Sequence, residues 1–221
     1  IAAARVEALL QSHRSLLANA SHELRSPLAR MKMAVSMLDQ ASAVQRERLK
    51  REIDTNVAEL DSLVEEVLLA SRLDATEDLS HPERVELLPL AVEEAARFNV
   101  PAEGVAASIR GDERLLRRAL RNLLENARRY GGDDIDVVVA SAPASAIVSV
   151  RVCDRGPGVP EAMRERIFEP FFRMPGHAEQ AGGVGLGLSL VKQIAERHGG
   201  RVRCEAREGG GSCFVIELPE K

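Results

Sequence analysis

Apolar or semi-apolar residues fall at Val6, Leu10, His13, Leu17, Ala20, Leu24 and Met31, in alternating steps of four and three, with Pro27 filling one slot. That repeat is the seam of a coiled coil or helical bundle. It predicts one helix from Ile1 to Leu38, bent at Pro27, where a backbone hydrogen bond is lost. After a polar turn from Asp39 to Ala43, a second seam (Ile53, Val57, Leu60, Val64, Val67, Ser71) predicts a helix from Val44 to Leu73. Two long amphipathic helices on a short connection make an antiparallel hairpin. A hairpin cannot cover its own apolar stripe, so two copies are expected to pair as a four-helix bundle. The first helix is already in phase at Ile1, which reads as a fragment whose helix continues upstream.

Residues 74–82 are polar and read as a linker, separating a domain over 1–73 from one over 83–221. In the second, the pattern predicts a strand from Val85 to Leu88, a helix from Pro89 to Phe98, and a longer helix from Asp112, its N-cap, to Tyr130. Residues 135–140 and 146–153 alternate as an antiparallel strand pair, and 201–205 and 212–218 read as closing strands. Helices are expected over 161–168 and 186–198. A mixed sheet covered by helices is an α/β sandwich.

Composition changes this picture little. With 45% hydrophobic and 29% charged residues and a net charge of −4, the chain is an ordinary globular sequence with no evident affinity for nucleic acid. No run of 18 apolar residues suggests a membrane span. Cys153, Cys204 and Cys213 lack metal-ligand spacing and read as reduced core residues.

Candidate chemistry lies in five places. With Leu10, Leu17, Leu24 and Met31 at heptad position a, His22 falls at f, the most outward slot. Glu23 is its neighbour, and Ser26 lies one turn on along the same face. A solvated surface histidine is the plain alternative. Asn122 and Asn126 are one turn apart on one helix, followed by Arg129 and Tyr130. Amide oxygens suit Mg²⁺ already surrounded by phosphates, an arginine holds phosphate and a tyrosine can stack on a base; a buried amide network would use the same two asparagines. Asp154-Arg155-Gly156-Pro157-Gly158 follows a strand, either as a plain turn or with Asp154 accepting from an exocyclic amine. Ile167 to Arg173 holds three of the five phenylalanines, consistent with a packed loop. Gly182-Gly183-Val184-Gly185-Leu186-Gly187-Leu188 leads into a helix, where backbone N–H groups attract phosphate. Met174 to Gln180 has the polar character of a lid, and Gly209 to Ser212 reads as a hairpin turn.

Taken in order, these segments resemble the cytoplasmic core of bacterial two-component sensor histidine kinases. His22 to Pro27 looks like the phosphoacceptor H box and Asn122 to Tyr130 like the N box. Asp154 to Gly158 is similar to G1, Ile167 to Arg173 to the F box, Gly183 to Leu188 to G2 and Gly209 to Ser212 to G3. The resemblance implies a helical dimerisation and phosphotransfer hairpin followed by an α/β sandwich ATP-binding domain. It implies ATP and Mg²⁺, with Asn126 and Asn122 at the metal, Arg129 on phosphates, Tyr130 beside the ring and Asp154 reading adenine. Gly156, Gly158, Gly183, Gly185, Leu186, Gly187 and Leu188 would line the nucleotide. His22 would take the γ-phosphoryl group with Glu23 orienting it and Arg173 stabilising charge, then pass it to an aspartate of a cognate response regulator. Ser26 stands where the family usually has Thr or Asn and would orient water for dephosphorylating the regulator. The implied setting is the cytoplasmic portion of an inner-membrane sensor, a homodimer attached to the membrane only through upstream segments. The segment from Asn99 to Gly111 is shorter than usual, so the sheet is expected to be trimmed or irregular there.

Three rivals compete. An ATPase of the same nucleotide fold would carry a water-activating glutamate where Asn122 stands. A zinc protease would need a second histidine where Ser26 stands. A non-catalytic dimeric docking module would have lost nucleotide residues, and none is lost.

Overall fold

The computed structural model describes residues 2–75, 79, 82–174 and 185–220, with the side chains of 2–14, 75 and 143 outside that description. The chain divides into two compact units, Ile1–Ala75 and Thr76–Lys221.

In the first unit, α1 (Ala2–Met37) and α2 (Ala43–Ala75) pack as a hairpin across a short 3₁₀ turn, Leu38–Gln40. The start of α2 is marked by Ser42, whose Oγ accepts from the Gln45 N–H while Gln45 Oε1 accepts from the Ser42 N–H, a capping box. The helix runs unbroken through Pro27, which is buried. Among the described side chains the buried positions are Leu16, Ala20, Pro27 and Ala34 on α1, and Asn56, Leu63, Ala70 and Leu73 on α2. This shifts the expected seam. Ile53, Leu60 and Val67 are half-buried, but Val57, Val64 and Leu17 are exposed, Leu17 by 60%. The inner contact mixes Ala20, Ala34 and Ala70 with Leu16, Leu63 and Leu73, and other large side chains (Leu28, Met33, Leu68) lie outside it. Arg30 clips the helices by donating to Asn56 Oδ1 at 2.7 Å and Glu59 Oε2 at 2.6 Å. The Val6, Leu10 and His13 side chains of the expected seam lie outside the described residues.

The second unit holds β1 (Glu83–Glu86), α3 (Leu87–Ala96), β2 (Ala102–Gly104), β3 (Ser108–Gly111), α4 (Glu113–Gly131), β4 (Asp136–Ala142), β5 (Ile147–Cys153), α5 (Gly187–Arg197), β6 (Arg201–Ala206) and β7 (Ser212–Pro219). A mixed five-stranded sheet runs β2-β4-β5-β7-β6, parallel only between β2 and β4; β1 and β3 form a separate antiparallel pair. Buried side chains recur at helical spacing on α3 (Leu87, Leu90, Ala91, Glu94, Ala95) and α4 (Leu116, Ala119, Leu120, Leu123, Leu124, Ala127). They meet strand positions that alternate inward, such as Val137, Val139, Val148, Val150 and Val152.

Within this core Glu94 is fully buried. It accepts from Arg117 at 3.0 Å and from Arg121 at 3.1 and 3.3 Å, tying α3 to α4. Burial works to raise its carboxyl, but the bonds from Arg121 and Arg117 outweigh that and hold it below the ordinary carboxylate range.

Three local expectations change. The first strand ends at Glu86 and α3 begins at Leu87, so Pro89 lies in the helix's first turn, where an N–H has no intrahelical partner to lose. Residues 161–168 form two 3₁₀ turns, Glu161–Met163 and Arg166–Phe168. They sit between Pro160 and Pro170 and are anchored by adjacent residues, Ile167 and Phe168, rather than by a helical stripe. The Asn99 to Gly111 segment, where the sheet was expected to be trimmed or irregular, makes a three-residue edge strand, β2, and β3, which pairs with β1 outside the main sheet. Gly104 is required there, since a Cβ would lie 1.9 Å from the Val139 carbonyl oxygen.

The third change is covalent. Cys153 and Cys213 occupy directly paired positions on β5 and β7 and form a disulfide, whereas Cys204 is a buried free thiol. Their Cα atoms are 4.0 Å apart, close to the spacing of a non-hydrogen-bonded antiparallel pair. Thiol titration of unreduced, denatured protein is expected to find one reactive cysteine per chain, and three after reduction. Three before reduction would rule out the cross-strand bond.

Candidate functional site

His22 projects from α1 as an exposed side chain, with Glu23 half-buried beside it and Ser26 exposed one turn further. This is the outward presentation expected of an f position. The preceding turn is stiffened by Ser21 Oγ donating to the Leu17 carbonyl at 2.7 Å.

In the second unit, β5 delivers Asp154 to the edge of the helical layer. The side chain is 4% exposed. Its Oδ1 accepts from the Gly156 N–H at 2.8 Å, and its own N–H donates to the Ser212 carbonyl at 2.8 Å. Three glycines close around it. A Cβ on Gly131 would lie 2.3 Å from Asp154 Cβ, on Gly156 2.9 Å from Oδ1, and on Gly211 2.0 Å from the Asp154 carbonyl. The expected turn at 209–212 therefore also packs around Asp154, and Ser212 Oγ accepts from the Val159 N–H at 3.0 Å. Gly158 packs on the same turn, against Gly211.

α4 is fixed at its start by Asp112, whose Oδ1 takes the Arg114 and Leu115 N–H groups. Asn122 is buried, and its Nδ2 donates to the Gly187 carbonyl at 3.1 Å, joining α4 to the first residue of α5. Asn126 is half-buried, Arg129 exposed and Tyr130 half-buried; the Tyr130 carbonyl lies against Gly156. Glu125 is exposed.

Leu186, the residue before α5, makes no side-chain cap hydrogen bond. Gly185 adopts φ +81°, and a Cβ there would press on Phe171 at 3.0 Å. Phe171 itself sits at φ 62°, held by its N–H donating to the Gly185 carbonyl at 2.9 Å. The phenylalanine segment thus braces the glycine loop: Phe168 packs edge-on to Phe214, and Arg166 lies over the Phe172 ring. Leu186 is fully buried, and Leu188 and Arg173 are half-buried. Gly183 and all but Met174 of the expected lid lie outside the described residues. Together, Asp154, Gly156, Gly158, Asn122, Asn126, Tyr130 and the 185–188 segment belong to one unit, where α4, α5 and the end of β5 converge. Sequence reasoning did not single out Gly131, and it placed Gly211 and Ser212 only in a hairpin turn resembling G3.

Residues 12–76 match the His Kinase A (phospho-acceptor) domain, and residues 111–221 match the histidine kinase-, DNA gyrase B- and HSP90-like ATPase family. The chain belongs to the histidine kinase family. Sensor protein RstB of Escherichia coli (strain K12) is 34% identical over 226 residues, covering 97% of this chain and 50% of RstB. The sensor-like histidine kinase SenX3 of Mycolicibacterium smegmatis is 34% identical over 231 residues, covering 98% of this chain and 59% of SenX3. The chain thus spans about half the length of these curated relatives. The Acinetobacter baumannii histidine kinase AdeS shares the fold at a TM-score of 0.69 and 20% identity, over 90% of this chain and 98% of that one. Among the described residues no helix is long and apolar enough to cross a membrane.

Burial is the main influence on Asp154 and raises its carboxyl; backbone N–H groups of Gly156 and Ser212 offset this only in part. A raised carboxyl contributes stability at low pH that is lost as pH rises through its folded value, so at neutral pH the ionised side chain is a net cost. Asp154→Asn is expected to raise the melting temperature of nucleotide-free protein at pH 7.5 by a few degrees, a gain that shrinks toward pH 4. The same change should weaken ATP binding by roughly ten- to a hundredfold, the worth of one hydrogen bond to a charged group. Calorimetry on both forms measures the two effects; a variant that binds ATP like wild type would remove Asp154 from base recognition.

Proposed function

We propose that this chain is the kinase core of a two-component sensor: it transfers the γ-phosphoryl group of ATP to His22 and then to an aspartate of a response regulator. In this reading residues 1–73 are the dimerisation and phosphotransfer domain, 74–82 the linker and 83–221 the catalytic domain. The observation that carries it is the exposed His22, with half-buried Glu23 beside it, on a hairpin matching a phosphoacceptor domain, in one chain with a buried carboxylate acceptor in a domain matching an ATPase family.

The residues fit a purine nucleotide. Asp154 is a buried acceptor able to read an exocyclic amine, Gly156 and Gly158 let the ring approach the backbone, and Tyr130 flanks it. The uncapped start of α5, with Gly183, Gly185, Leu186, Gly187 and Leu188, receives phosphates. Asn126 and Asn122 are neutral oxygen donors for Mg²⁺, which when bound neutralises phosphate charge. Arg129 holds phosphate oxygens. The Asn122 amide cannot serve as a base, so water is not activated as it would be in a hydrolase of this fold.

At His22, the Nε2 lone pair forms the bond to γ-phosphorus as the bond to the bridging oxygen breaks, and ADP leaves with that electron pair. Glu23 accepts the Nδ1–H hydrogen bond, making the far nitrogen the nucleophile and bearing the charge that develops on the ring. Arg173 stabilises the moving phosphoryl group; such transfer is mainly positioning and electrostatics. Ser26 keeps a hydroxyl on the His22 face to orient water toward a phospho-aspartate. The exposed Leu17, Val57, Val64 and Leu68 are the surface that a second copy covers in a four-helix bundle.

Incubation with labelled ATP tests the reading. Wild type should acquire acid-labile, base-stable label, which His22→Gln abolishes without loss of ATP binding; label persisting in that variant would exclude His22. Asn126→Asp should lose most Mg-ATP affinity, and unchanged affinity would make that asparagine structural. Ser26→Ala should slow decay of phospho-regulator while sparing autophosphorylation, and equal decay would leave Ser26 a purely structural residue. Sedimentation should find a dimer at micromolar concentration, and a monomer would contradict the bundle.

A further inference from the structure

Helix α5 ends at His198, an imidazole that is 6% exposed. Its Nε2 lies 3.0 Å from the Asp112 backbone nitrogen, and its Nδ1 lies 2.7 Å from the Ile194 carbonyl oxygen. A backbone N–H can only donate. Nε2 is therefore the unprotonated acceptor, and Nδ1 carries the hydrogen given to Ile194. Asp112 is also the N-cap of α4, so the ring joins the last turn of α5 to the first turn of α4. The chain makes room for it: a Cβ on Gly111 would sit 2.6 Å from the ring.

At the opposite end of α5, Asn122 donates to Gly187. The two rungs are matched in length. Ten residues separate 112 from 122 and eleven separate 187 from 198, or about 15 and 16 Å at 1.5 Å per residue. α5 is thus fastened to the antiparallel α4 at both its ends, to the middle of α4 by Asn122 and to its start by one imidazole. α4 carries Asn122 and Asn126, and the start of α5 carries the 185–188 segment. Their axial register sets the spacing between the groups that the nucleotide reading assigns to metal and phosphates.

We propose that His198 is a positioning residue for the nucleotide site, a neutral imidazole that sets the register of α5 against α4 without touching the ligand. The inference rests on the nucleotide reading above. It also carries a pH dependence. Protonation at Nε2 would set two donors face to face and open the rung. Burial is the largest influence on the ring and holds it below its ordinary range. The bond to Ile194 and the Asp112 carboxylate favour protonation, and Arg197 opposes it; Gly111, from β3, is uncharged. With a lowered folded value, the rung is intact above the ordinary histidine value of about 6.5 and is lost as pH falls through the folded value.

The test reads Mg-ATP affinity by calorimetry on the whole chain, independently of His22. At pH 7.5, His198→Leu should weaken binding roughly three- to tenfold, the fold-change of one hydrogen bond, and His198→Gln, whose Oε1 can accept from Asp112, should recover most of it. Val150→Ala, a core truncation in β5, serves as the destabilised control and should lower the melting temperature without moving affinity. Should His198→Leu fail to fold, Gly111→Ala displaces the ring instead and should weaken binding likewise. Toward pH 5.5 the wild type should lose affinity beyond the loss seen in His198→Leu, which reports the titration of ATP itself. Equal affinity of His198→Leu and wild type at pH 7.5, or a loss no larger than that of the control, would overturn the inference. No ATP binding by the wild type would sink the nucleotide reading, and this inference with it.

Discussion

The second unit is built around a carboxylate deprived of water. Ionised Asp154 would be better solvated almost anywhere else in the chain, and its burial raises its carboxyl rather than settling it. Keeping it there dictates much of the surrounding design. The end of α4, the loop after β5 and the β6–β7 turn each meet it with a glycine, because any Cβ would collide with the aspartate or its backbone. Two backbone N–H groups satisfy it in part, which leaves acceptor capacity for a ligand. Burying that carboxylate lowers stability at one residue, and in the proposed nucleotide reading a ligand donor supplies the partner it lacks.

Glu94 is the instructive contrast. It is as buried as Asp154, yet its carboxyl is held below the ordinary range, because Arg121 and Arg117 reach it directly. Both are buried acids, but one is internally satisfied and ties α3 to α4, whereas the other faces a site. The difference is the identity of the donors, not the depth of burial.

The two units also treat apolar surface differently. The α/β unit closes its own core, with three helices over one sheet. The hairpin has only two helices; Leu16, Leu63 and Leu73 are buried with Ala20, Ala34 and Ala70, but Leu17, Leu28, Met33, Val57, Val64 and Leu68 are left exposed. A unit of that kind needs more surface than it contains.

Periodicity was enough to locate the hairpin, α4, α5 and the central strands, because these segments satisfy propensity and burial locally. His22, Asp154, the two asparagines and the glycines were legible because each residue type does something few others can. Elsewhere local preference was overruled. Pro89 marked a helix start but lies two residues inside it, and residues 161–168 chose 3₁₀ turns between two prolines. The exposed Val57 and Val64 fit the seam pattern as well as the buried Leu63 and Ala70 do, so periodicity alone could not say which stripe faces the neighbouring helix. Strand register is non-local: only the pairing of β5 with β7 brings Cys153 opposite Cys213, across 60 residues that carry no spacing signal. For the same reason the contacts of Gly131, Gly211, Ser212 and His198 could not be read from the sequence. By itself the sequence determined where most helices and strands run and which family the segments resemble, since those depend on neighbours along the chain. The tertiary structure alone decided what each group touches, since burial, hydrogen-bond partners and charge environment come from elements distant in sequence.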